Sequence, residues 1–77
     1  MAQKGPYKST PVDSECMSVI GYDQKLKQLD IRFRKSGDVY RYFNFPNNEY
    51  DKLMAADSRG RYFVYNIRND YHFQRLL

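Results

Sequence analysis

The sequence has no long apolar run and contains a single cysteine, Cys16. A membrane-spanning helix needs about 18 or more consecutive apolar residues, so no membrane span is predicted. Residues 1–6 also lack the apolar stretch of a secretory signal. Because one cysteine cannot form an internal disulfide, the chain suits the reducing cytoplasm. We therefore expect a cytoplasmic protein that does not contact membranes and whose stability depends on packing alone.

The residues that usually carry catalysis or bind metals are also scarce. The chain has one histidine, His72, which is far from Cys16 in sequence, and neither lies in a recognisable catalytic motif. Metal ligation needs three or four converging ligands, and neither that spacing nor a glycine-rich phosphate loop is present. We interpret His72 as structural or merely exposed and Cys16 as an inert thiol. The sequence therefore predicts no enzyme activity, no metal site and no cofactor.

Aromatic and basic residues are what the chain has in quantity. Eight tyrosines and five phenylalanines supply much of the apolar material of its 77 residues, a length that allows one domain with a small core. The formal net charge of +4 is unevenly distributed, since residues 25–41 contain six Lys or Arg against two acids, and residues 58–77 four Arg against one. This excess indicates either a weak polyanion-binding surface or an ordinary solvated surface.

Hydrophobic periodicity predicts a sheet in the first half of the chain. Residues 1–14 contain two prolines and no periodic pattern, so we expect a disordered N-terminal arm, followed by a domain over residues 15–77. Further along, Leu29, Ile31 and Phe33 alternate with charged residues, as a half-buried strand requires. Short polar connections predict an antiparallel meander of three strands over residues 17–23, 28–34 and 38–44.

The third predicted strand is rich in aromatic residues. Its period of two places Tyr40 and Tyr42 on one face and Val39, Arg41 and Phe43 on the other. The pattern does not determine which of these faces is covered.

Two short helices are predicted after Pro46, which ends the third strand because proline cannot donate to a ladder. Tyr50, Leu53 and Met54 form one apolar stripe in the first helix. The predicted helices cover residues 47–56 and 58–68, and residues 71–77 are predicted to form a short strand or a packed extended segment. The predicted fold class is therefore α+β, a three-stranded antiparallel meander followed by two short helices.

An ordered series of segments resembles the KTSC domain family. The segments are residues 18–23, 29–33, 39–43, Pro46 with Tyr50, 58–63 and 67–68. The family's central tyrosine-any-tyrosine signature falls on Tyr40, Arg41 and Tyr42, and the similarity extends over about residues 17–76. The family is named after the C-terminus of some lysine-tRNA synthetases and also includes small stand-alone bacterial and phage proteins. The resemblance implies RNA binding, which the synthetase context suggests for the family.

Tyr40, Arg41 and Tyr42 are the first candidate binding residues. Aromatic rings displayed on a sheet beside arginine are the means by which several folds stack unpaired bases. The alternative is that both rings belong to the core, as aromatic residues in small sheets usually do.

The second candidate site comprises Arg59, Gly60 and Arg61, which follow Ser58 at a predicted helix start. Backbone N–H groups, the helix dipole and two guanidinium groups could together hold a phosphate there. The alternative is that Gly60 only relieves a tight corner between the two helices.

Two classes of function remain open at this point. In the first, Arg32 and Arg34 join Arg59, Arg61 and Arg68 in a weak nucleic-acid surface that tolerates many sequences. In the second, the domain is a protein-interaction module or small inhibitor whose aromatic rim contacts a partner protein. Binding to phosphates weakens steeply with salt, whereas an aromatic protein interface does so only mildly. Either way we expect a non-catalytic binding module, present as a monomer or a weak homodimer, whose partner is RNA or a protein.

Overall fold

A computed structural model describes residues 7–77 and shows one antiparallel sheet with two helices. The five strands lie side by side in sequence order, and both helices come between the fourth and fifth strands. The elements are β1 (Tyr7–Pro11), β2 (Met17–Asp23), β3 (Gln28–Phe33), β4 (Val39–Phe43), α1 (Asn47–Ala55), α2 (Arg59–Asn66) and β5 (Phe73–Arg75). The α+β class and the meander are therefore confirmed, but the sheet has two strands more than predicted.

The three predicted strands and the two predicted helices lie close to their predicted positions. The first predicted strand is β2, with the same bounds, and α1 differs from its prediction by one residue at its end. The predicted C-terminal segment pairs with β4 as the short strand β5. These elements were predictable because alternation and the apolar stripe are local properties of the sequence.

Strand β1 corrects the prediction of a disordered arm over residues 1–14. It pairs antiparallel with β2, from Tyr7 opposite Asp23 to Pro11 opposite Val19. Beyond the strand, Val12 is buried. The prediction was wrong for residues 7–14 because β1 lacks an apolar alternation and depends on its partner strand for order. The remainder of the predicted arm, residues 1–6, lies outside the described residues.

The helices cover the face of the sheet that carries Tyr40 and Tyr42. In the β3–β4 register, Leu29 lies opposite Tyr42 and Ile31 lies opposite Tyr40, so these four side chains share one face. Phe63 from α2 packs edge-on against Tyr42, with 5.6 Å between the ring centroids. The buried core consists of Val12, Met17, Ile20, Tyr22, Leu29, Ile31, Tyr42, Phe45, Leu53, Phe63 and Ile67.

Both helices are short and attach to the sheet through a few buried residues. Leu53 is the buried residue of α1, while Gly60 and Phe63 are those of α2. Ser58 caps α2 by accepting a hydrogen bond from the Arg61 N–H at 3.2 Å. Within residues 7–77, no helix combines the length and the apolar character needed to cross a membrane.

The opposite side of the sheet, which we call the open face, has an ion pair at its centre. Asp30 is only 8% exposed, and its two carboxylate oxygens accept hydrogen bonds from Arg41 Nε at 2.7 Å and Arg41 Nη2 at 2.9 Å. The Tyr7 hydroxyl donates to Asp30 Oδ2 at 3.1 Å. A buried carboxylate is costly without such partners. The cluster therefore joins β1 and β4 to the central strand β3.

Gly21 makes room for the Tyr7 side chain on this face. It lies opposite Ser9 of β1 and Asp30 of β3, and it is buried although it has no side chain. A Cβ atom on Gly21 would lie 2.7 Å from Cζ of Tyr7 and nearer still to the hydroxyl oxygen. The Tyr7 ring therefore crosses over Gly21 to reach Asp30.

We expect Gly21→Ala to lower the free energy of unfolding by about 1–3 kcal/mol, because the added methyl group displaces the Tyr7 ring from Asp30. Urea denaturation monitored by circular dichroism measures the change. In a Tyr7→Ala background the same substitution should lower the free energy of unfolding by less, because the Tyr7 ring is no longer there to clash with the methyl group. An equal loss of stability in both backgrounds would contradict the role assigned to Gly21.

Burial changes the ionisation of the core tyrosines. Tyr42 is 4% exposed, and burial raises its pKa to about 12, with Tyr40 adding to the rise and Arg68 opposing it. Burial also raises the pKa of Tyr22, whose hydroxyl group lies against the Phe45 carbonyl oxygen. The folded protein therefore favours the neutral form of both phenols.

The raised pKa of Tyr42 predicts a loss of stability in alkali. Its contribution is fully present below pH 10.0, the unperturbed tyrosine pKa, and is lost as the pH rises toward about 12. We expect the wild type to lose stability relative to Tyr42→Phe over this interval, measured by urea unfolding at successive pH values. Tyr65→Phe serves as the control because Tyr65 is 75% exposed. If the wild type declined in parallel with Tyr42→Phe, the prediction would be wrong.

Candidate interaction surface

The first predicted site, Tyr40-Arg41-Tyr42, is divided between the two faces of the sheet. Tyr42 is buried in the core, and the half-buried Tyr40 ring packs edge-on against Phe33 with 5.8 Å between centroids. Arg41 points to the open face, where it binds Asp30. The strand alternates its side chains, so the two rings and the guanidinium cannot form a single stacking surface. The alternative interpretation, in which these rings are core residues, matches the structure.

Two of the predicted arginines make contacts that hold the fold together. Arg34 donates from Nε to the Ser14 carbonyl at 2.8 Å and from Nη2 to the Val12 carbonyl at 2.9 Å, which fastens the β1–β2 connection to the end of β3. The hydrogen bond to Asp30 raises the pKa of Arg41. Both guanidinium groups are thus engaged within the domain, and a phosphate would have to compete with these internal partners.

Arg59 and Gly60 form the corner where α2 meets α1 and the β1–β2 connection. Arg59 Nη2 donates to the Met54 carbonyl oxygen near the end of α1 at 2.9 Å. Gly60 is buried, and a Cβ atom there would lie 2.8 Å from Sγ of Cys16. Glycine is therefore needed for a close contact, but the contact is with Cys16 rather than between the two helices.

The cavity beside this corner is acidic as well as basic. Its volume is about 220 Å³, and its lining includes Asp13, Glu15 and Asp57 together with Arg59 and Arg61. Three carboxylates offset the two guanidinium groups, one of which already binds a carbonyl oxygen. This arrangement does not favour the predicted phosphate site. Nor does any group of three or more His, Cys, Asp or Glu in residues 7–77 have an arrangement suited to a metal ion.

The remaining predicted cations, Arg32, Arg61 and Arg68, are exposed but lie apart. Arg32 belongs to the open face, because its position in β3 is two residues from Asp30. Arg61 lies in α2, and Arg68 follows the end of that helix. The sheet separates Arg32 from the helices, so the structure does not bring the three together as one basic surface.

Half of the exposed large apolar side chains within residues 7–77 lie in β5 or directly after it. Among residues 7–77, six large apolar side chains are exposed, and three of them are Phe73 at 55%, Leu76 at 40% and Leu77 at 64%. We call these three residues the β5 patch. The Phe73 ring lies 5.6 Å from the Tyr40 ring and 5.8 Å from the Tyr42 ring, measured between centroids. The aromatic core thus extends outward to the edge of the sheet at this patch.

Strand β5 also leaves backbone groups facing outward at this edge. The Phe43 N–H donates to the His72 carbonyl at 3.0 Å, and the Leu76 N–H donates to the Val39 carbonyl at 2.7 Å, so these β5-side groups point toward β4. Backbone direction alternates along a strand, so the N–H and C=O groups of Phe73 and Arg75 point away from β4. Strand β5 is the last strand of the sheet within residues 7–77.

The sequence pattern of this tail predicts a short strand or a packed extended segment and does not indicate a binding site there. A usable signal was present, because the apolar residues Phe73, Leu76 and Leu77 lie close together in the sequence on either side of Arg75. Whether the neighbouring elements cover such a segment depends on the tertiary structure, which local periodicity does not contain.

The overall shape matches a solved structure closely. The crystal structure of a KTSC domain protein from Yersinia pestis superposes with a TM-score of 0.87 at 31% sequence identity. The superposition covers 92% of this chain and 99% of that chain.

Two sequence relatives differ greatly in length. A protein of Tsukamurella paurometabola is 38% identical over 52 residues, which is 68% of this chain and 76% of that protein. A lysine–tRNA ligase of Nostoc punctiforme is 38% identical over 55 residues, which is 71% of this chain but only 10% of the ligase.

The sequence pattern of a whole family also fits this chain. The family model of the KTSC domain matches residues 13–71, which include β2, β3, β4 and both helices. With the match covering well over half of the sequence, this chain belongs to the KTSC domain family.

Proposed function

We propose that this chain is a non-catalytic protein-interaction module that binds a partner protein through the β5 patch. The observation that carries the proposal is the exposure of Phe73, Leu76 and Leu77 at a free strand edge. Exposed apolar side chains gathered along one edge of a sheet indicate a protein-binding surface. Phenylalanine and arginine are both enriched at such interfaces, and Arg75 of β5 lies next to the patch in the chain.

The position of Phe73 supports this interpretation further. One side of its ring rests on Tyr40 and Tyr42, so a partner would meet a side chain that is already held in place. A held side chain loses less conformational freedom on binding than a mobile one does. The patch is therefore suited to act as an anchor.

The nucleic-acid interpretation has less support from the same geometry. Tyr42 is too buried to stack a base, and Arg34, Arg41 and Arg59 bind groups within the domain. The net charge of +4 still attracts polyanions in general. Such attraction alone is weak and salt-sensitive, which provides a clear way to distinguish the two interpretations.

The test is capture of partners from a lysate of the source cells by the immobilised chain, after nuclease treatment and in moderate salt. We expect the wild type to retain at least one protein, and Phe73→Ser to lose it, because that substitution removes the central apolar anchor of the patch. Leu26→Ser is the matched control, because Leu26 is 60% exposed and lies in the β2–β3 turn, away from β5. Circular dichroism of each variant checks that the fold is retained.

Capture that disappears after nuclease treatment would contradict the proposal and favour nucleic acid. Equal capture by the wild type and Phe73→Ser would place the interface elsewhere and would also contradict it. The non-catalytic part of the proposal has its own test, because turnover of any substrate that is lost in His72→Ala or Cys16→Ala would contradict it.

A further inference from the structure

The outward edge of β5 combines backbone groups with two side chains of different character. Phe73 and Arg75 both face the helix-covered side of the sheet, since they lie opposite Tyr42 and Tyr40 in the β4–β5 register. Their backbone N–H and C=O groups point outward, as the hydrogen bonds of the flanking residues require. An extended segment placed beside β5 would meet two donors and two acceptors at this edge.

The two side chains require different neighbours. Phe73 is 55% exposed although its ring contacts Tyr40 and Tyr42, so an apolar side chain on a strand added beside β5 would have apolar surface to cover. The Arg75 side chain is 60% exposed, and its Nη2 donates to Asp38 Oδ1 at 3.1 Å while its Nε donates to the Leu77 carbonyl oxygen at 3.1 Å. Its guanidinium retains further N–H donors, which suit a carboxylate.

We infer that β5 binds its partner by strand addition, and that the partner supplies an extended segment with an acidic residue and an apolar residue two positions apart. The inference rests on the proposed protein-interaction function and identifies the chemistry of the partner. In an antiparallel arrangement the acidic residue comes first in the partner and lies opposite Arg75, and the apolar residue lies opposite Phe73. The spacing of two is required because only alternate residues of a strand share a face.

Two further considerations support this occupant. Every strand pair within residues 7–77 is antiparallel, and antiparallel pairs are slightly more stable per residue than parallel ones. The net charge of +4 attracts acidic partners from a distance. The side chains of a cross-strand pair then add specificity to backbone hydrogen bonds that any sequence can form.

The experiment titrates the ¹⁵N-labelled chain with the synthetic peptide acetyl-Thr-Thr-Glu-Thr-Ile-Thr-Thr-amide and follows its amide resonances by NMR. We expect the largest shifts at Phe73 and Arg75, since their N–H groups gain acceptors. A spacing control, acetyl-Thr-Thr-Glu-Thr-Thr-Ile-Thr-amide, places the two side chains on opposite faces. It should bind on the order of fivefold more weakly, because one favourable cross-strand pair is lost.

Two further comparisons separate the backbone and side-chain contributions. N-methylation of the Glu and Ile amides should abolish binding, whereas N-methylation of the Thr between them should have a much smaller effect, because its N–H points away from β5. Replacing Glu by Gln in the peptide should weaken binding to the wild type but not to Arg75→Gln. A Leu26→Ser chain should bind the first peptide as the wild type does.

Equal affinity for both spacings, or shifts that avoid β5, would overturn the inference. A chain that does not bind the peptide but forms a concentration-dependent dimer would also overturn the inference, because a second copy would then occupy the edge. Sedimentation equilibrium detects such a dimer, which Phe73→Ser would abolish. If partner capture depends on Phe73 while the peptide has no effect, strand addition is wrong and the proposed function stands. If partner capture does not depend on Phe73 either, strand addition and the proposed function are both wrong.

Discussion

Asp30 is a charged group with almost no access to water at the centre of a five-stranded sheet, and much of the structure depends on the way it is satisfied. Arg41 supplies a bidentate pair from β4, and Tyr7 supplies a hydroxyl hydrogen bond from β1. Removing one partner of such a pair commonly costs several kcal/mol, since the other charge stays buried. The pair therefore favours the register in which Asp30 of β3 lies opposite Arg41 of β4, and Tyr7 links β1 to Asp30 by crossing Gly21.

This arrangement places the polar and the aromatic side chains of β4 on different faces of the sheet. The alternation that sends Arg41 to the open face sends Tyr40 and Tyr42 to the helix side, where Phe63 packs on Tyr42. A chain of this size uses most of its aromatic side chains to build its core. Half of the large apolar side chains that stay exposed within residues 7–77 lie at the sheet edge from Phe73 to Leu77, which is why the edge rather than a face is the better candidate for binding.

The parts of this fold that follow local rules were predictable from the sequence. Residues 29–33 alternate apolar and charged side chains, and the first helix has an apolar stripe, so the positions of these elements emerged with small errors at the ends. Strand β1 was missed because it has no apolar alternation of its own and is held by its pairing with β2 and by the hydrogen bond between Tyr7 and Asp30, which lie 23 residues apart. The candidate site could not be predicted for the same reason, because it also depends on contacts between residues far apart in the sequence. Whether Arg34 is free to bind a phosphate or donates to the Val12 carbonyl depends on which backbone segment the fold places beside it. The pattern of charges in the sequence does not show this.

The order of the strands also has a consequence for how the chain folds. Strands β1 to β4 are joined by short connections, so their pairing closes small loops and can form early. Strand β5 pairs with β4 only across the intervening segment of about 30 residues that contains both helices, which makes its closure entropically more demanding. We expect β5 to join last. Until it does, the aromatic edge of β4 is uncovered, and an uncovered strand edge can pair with another chain.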